Sequence, residues 1–242
     1  MHVYIYDSFL NQKKYDRILA RLETRITDLG LNGRISRMGI ITNIHDIVDH
    51  EIKQGAKTII AVGNDQTVNQ VLNTTAGRNV PLGIIPIGEK NNDTAMALGI
   101  TDMENACNIL SARRITSLDL GVANTTFFLS TAAIGTVGTT VEVSQDYSIE
   151  IQKRGQLIVK NLSKDGKFNP QDGMLELLIN VDGKNFYISN EKNNSIFPIK
   201  KITINNNKQP MIIDGLVKIK TPVKISVLKQ KLKIIVGRER NF

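Results

Sequence analysis

The chain has 242 residues, 41% of them hydrophobic, with no Trp, one cysteine and a formal net charge of +8. That length allows two domains with cores of their own, and a single cysteine excludes an internal disulfide. The opening Met1 to Asp7 lacks the basic start and long apolar run of a signal peptide, and no later segment reaches a membrane-spanning length, so a soluble cytoplasmic protein is expected.

Met1 to Asp7 alternates like a short strand. From Ser8 to Gly30, apolar Tyr15, Ile18, Leu19, Leu22, Ile26 and Leu29 form a helical stripe closed by Gly30. Arg34 to Met38 reads as a short strand, and Ile44 to Gly55 as a helix with Ile44, Ile47, Val48 and Ile52 on one face. Lys57 to Val62 is the next strand, Val68 to Thr75 a helix, Leu82 to Pro86 a strand, Asp93 to Leu98 a helix, and Glu104 to Ala112 a helix with Cys107 as a small buried hydrophobe. Strands alternating with helices, too far apart for hairpins, predict a parallel sheet with covered faces: a doubly wound α/β domain over residues 1–115.

From Ile115 onward short β runs take over, at 126–131, 155–159, 174–181, 184–189, 199–204, 210–213, 223–228 and 231–236. Asp-Gly pairs at 165–166, 172–173, 182–183 and 214–215 punctuate them, as hairpin turns do. Residues 116–242 therefore read as a β-rich domain of the sandwich type. Residues 190–194 and 205–207 read as polar loops.

Charge is uneven along the chain. Residues 1–150 carry 13 Lys+Arg against 16 Asp+Glu, net −3, and residues 151–242 carry 18 against 7, net +11. A basic second half suits an anionic partner such as a phospholipid leaflet or a nucleic acid. On charge alone a solvated face is the simpler account, and no aromatic residues interleave the lysines as a nucleic-acid surface would require. Lys229, Lys231 and Lys233 alternate along a strand and would share one solvent face. His2, His45 and His50 do not form a metal-ligand spacing with Cys107, and Gly135-Thr-Val-Gly138 reads as a strand-end turn.

Two segments carry the chemistry. Thr58-Ile-Ile-Ala-Val-Gly-Asn-Asp-Gln-Thr-Val-Asn-Gln-Val-Leu72 and Ile84-Ile-Pro-Ile-Gly-Glu-Lys-Asn-Asn-Asp-Thr-Ala-Met-Ala-Leu-Gly-Ile100 each run from a β-branched strand through a small-residue turn into a helix. Turn amides and a carboxylate then lie at the carboxyl end of a buried strand, where phosphates bind. The first segment resembles the Gly-Gly-Asp-Gly-Thr loop of the diacylglycerol kinase catalytic-domain family, which includes bacterial lipid kinases and sphingosine kinases and is related in fold to NAD kinases. The second resembles that family's Ile-Ile-Pro strand, Gly-Thr-X-Asn-Asp turn and Ala-X-Ala-Leu-Gly-Ile helix, with one extra turn residue. Ser117-Leu-Asp-Leu-Gly121 and Asp214-Gly215 are similar to its later Val-Asp-Leu-Gly and Val-Asp-Gly-Glu segments, and the four matches fall in the family's order.

The resemblance implies an ATP- and Mg²⁺-dependent kinase transferring the γ-phosphate to a diacylglycerol-type lipid hydroxyl. Its partners would be nucleotide and lipid, with peripheral membrane contact, no specific nucleic acid, and a homo-oligomer left open. It assigns Asp65 to catalysis, as base for the lipid hydroxyl or through magnesium, and Asp214 as the second catalytic acid. It assigns Gly63, Asn64, Gln66, Thr67 and Asn69, with Gly88 and Asn92 from the next turn, to the nucleotide, and Asp93 and Asp119 to the metal. Read from the residues alone, Asp65 and Asp93 could equally cap helices, Asp119 end a strand, and Asp214 form half of a hairpin turn.

Departures from the family pattern also stand in the sequence. Asn64 and Gln66 replace loop glycines, and Gln66 is expected to be the graver change because Gln tolerates left-handed backbone less well than Asn. Leu216 stands where the family has Glu, Asp7-Ser-Phe-Leu-Asn11 replaces its Asn-Pro-X-Ser-Gly turn, and the β domain lacks a long apolar helical stretch. The alternative expectation is a catalytically impaired nucleotide-binding or scaffolding relative.

Overall fold

In the computed structural model, which describes residues 1–39, 44–88, 92–143, 147–181 and 194–242, strand β1 (His2–Tyr6) lies between two parallel neighbours. These are β2 (Gly33–Arg37) and β3 (Thr58–Gly63), and β4 (Leu82–Pro86) pairs in parallel with β3, so the sheet order runs β2-β1-β3-β4. The expected strand at 184–189, the Asp182-Gly183 turn and the turn residues 89–91 lie outside the described residues. Every residue of β3 and β4 is buried. Strands covered on both faces need continuous apolar runs rather than alternation, which is what Ile59-Ile-Ala-Val62 supplies. Each such Ile or Val contributes roughly 1.5–3 kcal/mol on leaving water.

Among the described residues the α-helices that cover this sheet are α1 (Asp16–Asp28), α2 (Ile44–Lys53), α3 (Asp65–Thr75), α4 (Asp93–Ala97) and α5 (Met103–Ala112). Helix α1 packs with α5, and α2 with α3. Right-handed crossovers running outward from β1 in one direction and from β3 in the other put α1 and α3 on opposite faces, which is the doubly wound arrangement. The stripe expected from Ser8 becomes regular helix only at Asp16. The Asp7 carboxylate accepts from the Phe9 amide and caps a 3-10 turn over Ser8–Asn11, and Gln12 is extended, so the helix begins anew beyond it.

The rest of the chain is β, antiparallel except where the last strand returns to pair in parallel with β4, Ile234 opposite Leu82. Strand β5 (Ile115–Ala123) pairs with β6 (Thr126–Phe128). Then come β7 (Thr131–Gly135), β8 (Thr139–Glu142), β9 (Ser148–Ile151), β10 (Gln156–Lys160), β11 (Leu175–Asn180), β12 (Asn194–Ile199), β13 (Lys201–Asn205), β14 (Met211–Ile213), β15 (Val217–Ile219) and β16 (Val223–Ile235). One antiparallel sheet has the order β12-β11-β10-β7-β14-β15, while β8, β9, β13 and the first part of β16 pair with one another. Ala132, Leu157 and Leu177 of the former meet Val141, Ile204 and Val223 of the latter in one buried cluster, the core of a sandwich. The hairpin loop Asp214-Gly215-Leu216 joins β14 to β15, with Asp214 and Gly215 at positive φ, +45° and +72°, backbone that an Asp-Gly pair tolerates.

By contact the chain falls into two units. One comprises Met1–Leu118, Ser163–Lys167 and Lys231–Phe242, the other Asp119–Leu162 and Phe168–Gln230. Charge redistributes with this division: the first unit holds 19 Lys+Arg against 14 Asp+Glu, net +5, and the second 12 against 9, net +3. The basic second half of the sequence is therefore not one basic unit. Lys229 belongs to the second unit and Lys231 and Lys233 to the first, and between them Gln230 takes a left-handed φ of +51° that interrupts the strand's alternation.

Candidate functional site

Strand order reverses between β1 and β3, and in open α/β sheets the crevice beyond the carboxyl ends of the strands at that point receives ligands. The main-chain ladder continues one residue past the strands, with Asp7 N donating to the Val62 carbonyl and Ile87 N to the Gly63 carbonyl. Beyond that lie Asp7–Asn11 after β1, Gly63–Thr67 after β3, and Ile87 and Gly88 after β4.

Gly63 has φ +155°, and a Cβ there would lie 2.2 Å from Thr67 Oγ1 and 3.2 Å from Asp7 Cβ. Only glycine fits. Asn64, extended at φ −103° and ψ −173°, is the N-cap of α3. Its carboxamide oxygen accepts from the Gln66 and Thr67 amides at 2.9 and 3.3 Å, and its own amide donates to Thr67 Oγ1 at 3.2 Å. This reciprocal capping box satisfies helix-start amides that a phosphate would otherwise take. Gln66 lies in the first turn of α3, outside the residues with positive φ, so its departure from glycine carries no backbone strain. Thr67 is fully buried, and Asn69, 6% exposed, lies further along the same helix.

Asp65 does not cap its own helix. Its two carboxylate oxygens accept from the Asp93 and Thr94 amides at 3.0 and 3.2 Å, so it caps α4, whose own N-cap residue Asn92 makes no side-chain cap. Asn92 instead donates its side-chain amide to the Gly88 carbonyl at 2.9 Å, and Gly88 has φ +122°. Burial pushes the Asp65 carboxyl above the usual range, hydrogen bonds from Thr94 and Asp93 oppose that shift, and the Asp93 charge adds to it. Asp93 is exposed and pairs with Lys164 Nζ at 3.1 Å. Lys164 comes from the short Ser163–Lys167 stretch that joins the first unit.

Asp119 and Asp214 lie in the second unit. Asp119 is fully buried, and its two oxygens accept from the Gly173 and Gln230 amides at 2.6 and 2.7 Å. The second contact holds the left-handed backbone at Gln230. Asp214 accepts from the Leu129, Ser130 and Thr131 amides at 3.2, 3.0 and 2.7 Å. Leu216 is exposed. Among the described residues no group of three or more His, Cys, Asp or Glu side chains is placed to hold a metal ion. A magnesium ion carried on nucleotide phosphates needs only one or two protein carboxylates, and of the two acids at the start of α4, Asp65 accepts from two amides while Asp93 is exposed beside Lys164.

Sequence reasoning passed over Asp7. It is 8% exposed, accepts from Thr67 Oγ1 at 2.6 Å and from the Phe9 amide at 3.1 Å, and so joins the turns after β1 and β3. Its one sequence signal is a carboxylate directly following a buried strand.

The comparisons agree with this architecture. The chain superposes on the crystal structure of a diacylglycerol kinase from Bacillus anthracis with a TM-score of 0.79 over 98% of this chain and 97% of that one, at 19% identity. That likeness speaks to the fold. A Staphylococcus haemolyticus protein that carries a provisional lipid-kinase name is 26% identical over 81% of this chain and 82% of its own length. A diacylglycerol kinase of Staphylococcus saprophyticus is 38% identical over 35% of this chain, a stretch spanning 28% of that protein's length. No helix among the described residues is long and apolar enough to cross a membrane. The diacylglycerol kinase catalytic domain model matches residues 3–123, half of the sequence, and the chain belongs to that family.

Proposed function

We propose that the protein is a lipid kinase that transfers the γ-phosphate of ATP to a diacylglycerol-type hydroxyl, acting from the cytoplasm with peripheral membrane contact. The observation that supports this most is the pairing of Asp65 with the start of α4 at the carboxyl ends of β3 and β4, in a chain of the diacylglycerol kinase family. In this reading the lipid hydroxyl oxygen attacks the γ-phosphorus, the bond to the β–γ bridging oxygen breaks, ADP departs, and the hydroxyl proton passes to Asp65. A carboxyl raised by burial is the better base. Asp93 would hold magnesium, whose chemistry there is charge neutralisation, and Asp65 is left to take the proton. Gly63, Gly88 and Asn92 line the nucleotide's approach, while Asp119 and Asp214 hold the backbone of the second unit.

The same site supports a second reading, a relative that binds nucleotide without transfer. It is favoured by one observation: Asn64 already occupies the Gln66 and Thr67 amides. Two measurements separate the readings, calorimetric titration of ATP with and without magnesium, and γ-phosphate transfer to diacylglycerol in mixed micelles. For the kinase we expect transfer that rises with pH through the elevated pKa of Asp65 and falls by at least about a hundredfold in Asp65→Asn, the scale of general-base loss. Tight magnesium-dependent ATP binding with no transfer in the wild type selects the second reading.

A further inference from the structure

We propose that Asp7 is a positioning residue for the nucleotide loop, and that Thr67 is a strut in that loop rather than a phosphate ligand. The inference rests on the nucleotide reading of the Gly63–Thr67 segment. Thr67 has one hydroxyl proton, and it is donated to Asp7 Oδ2 at 2.6 Å in a buried setting. The same oxygen of Thr67 accepts the Asn64 amide at 3.2 Å. Asp7 Oδ1 accepts from the Phe9 amide at 3.1 Å and the Ser8 hydroxyl at 3.3 Å.

A continuous chain thus runs from the Asn64 amide through Thr67 and Asp7 to the Phe9 amide. It ties together, across 60 positions of sequence, the two turns that flank the switch point. A carboxylate acceptor makes the central bond charge-assisted, about twice as strong as a neutral one. The fit is tight as well as polar, because Gly63 leaves room for no Cβ between Thr67 and Asp7. With its proton committed and its surface buried, the Thr67 hydroxyl is in no position to reach a phosphate. Its effect on nucleotide must pass through the turns it holds.

The test uses the full-length protein and the near-isosteric variants Thr67→Val, Asp7→Asn and their double, with Thr67→Ser as the conservative control. Amide hydrogen exchange without nucleotide is read at Phe9 and Gln66, and MgATP affinity by calorimetry. We expect Thr67→Val to speed exchange about tenfold at Phe9, an amide Thr67 does not touch, leaving Ile60 and Val62 unchanged. Each single variant should weaken MgATP about tenfold, one decade per 1.4 kcal/mol. The double should be no weaker than either single, and Thr67→Ser should restore both readouts.

The proposal is overturned if Phe9 exchange is unaffected in Thr67→Val, or if the two affinity losses simply add. It is equally overturned if Asp7→Asn keeps full affinity while Thr67→Val loses it, since Thr67 would then meet the phosphate itself. Should Asp7→Asn not fold, Phe9 exchange in Thr67→Val decides alone. Absence of nucleotide binding by the wild type would remove the functional reading, leaving the coupling of the two turns to stand or fall on exchange.

Discussion

Asn64 and Gln66 both depart from the glycines of the family loop, yet only one of them changes what the loop can do. Gln66 is an ordinary first-turn helical residue, so Gln66→Gly frees no hydrogen-bond donor and loses about 1 kcal/mol of helix propensity. Asn64 is the cap. Asn64→Ala should cost about 1 kcal/mol in urea unfolding, the usual value of an N-cap, and Asn64→Gly only a few tenths. Because Asn64→Gly releases the Gln66 and Thr67 amides, MgATP affinity should rise in it and not in Gln66→Gly, which a paired calorimetric titration reads directly. The sequence suggested the reverse ranking, since it was judged by tolerance of left-handed backbone and neither residue adopts one. What decided the matter was a hydrogen-bond pattern over three residues, and an Asn followed three positions later by Thr is a weak signature of it.

At the level of elements, strands with a single buried character were legible and those shared between settings were not. β3 and β4 are uniform apolar runs and fall within a residue of their expected bounds, and the Asp214-Gly215 hairpin follows from turn chemistry alone. The runs expected at 223–228 and 231–236 are instead one strand, β16, whose continuity depends on the Asp119 carboxylate holding Gln230, a contact 111 residues away in sequence. No local pattern announces it. Strand β11 carries a titrating group that its sequence does not announce either. Burial, reinforced by Asp172, pushes the Glu176 carboxyl up to about 7, and the facing Lys160 lies over the Phe168 ring. A carboxyl raised in the folded state adds stability that is full below its unfolded pKa and is lost as pH rises through about 7. Glu176→Gln should therefore match the wild type near pH 4 and exceed it at pH 8 by about 1 kcal/mol, given its partial exposure. Urea midpoints at the two pH values check this, and an equal difference at both would contradict it.

Across the whole molecule, the two-part architecture could be read from the switch between periodicities near Ile115, but the return of Lys231–Phe242 to the first unit could not. Those residues follow a β run like any other, and their destination is set by long-range contacts: Val236 N donates to the Arg114 carbonyl, Gly237 N to Leu98, and Asn241 N to Ala97. The same return undoes the simplest electrostatic expectation. If Lys229, Lys231 and Lys233 formed one headgroup-binding face, each would be worth about 1 kcal/mol at an anionic membrane, and neutralising all three would weaken vesicle binding by roughly 150-fold. In the structure Gln230 breaks their alternation, Lys233 Nζ donates to the Asn79 side chain at 2.5 Å, and the units carry +5 and +3 rather than a concentrated +11. Replacing the three lysines by Gln should then reduce binding to phosphatidylglycerol vesicles by less than about fivefold at fixed salt. Raising salt should weaken the wild type far more, because the attraction is a sum over dispersed surface charge that ions screen within about 10 Å at 0.1 M. A loss approaching a hundredfold in the triple variant, read by co-sedimentation, would mean that the three lysines meet the membrane together.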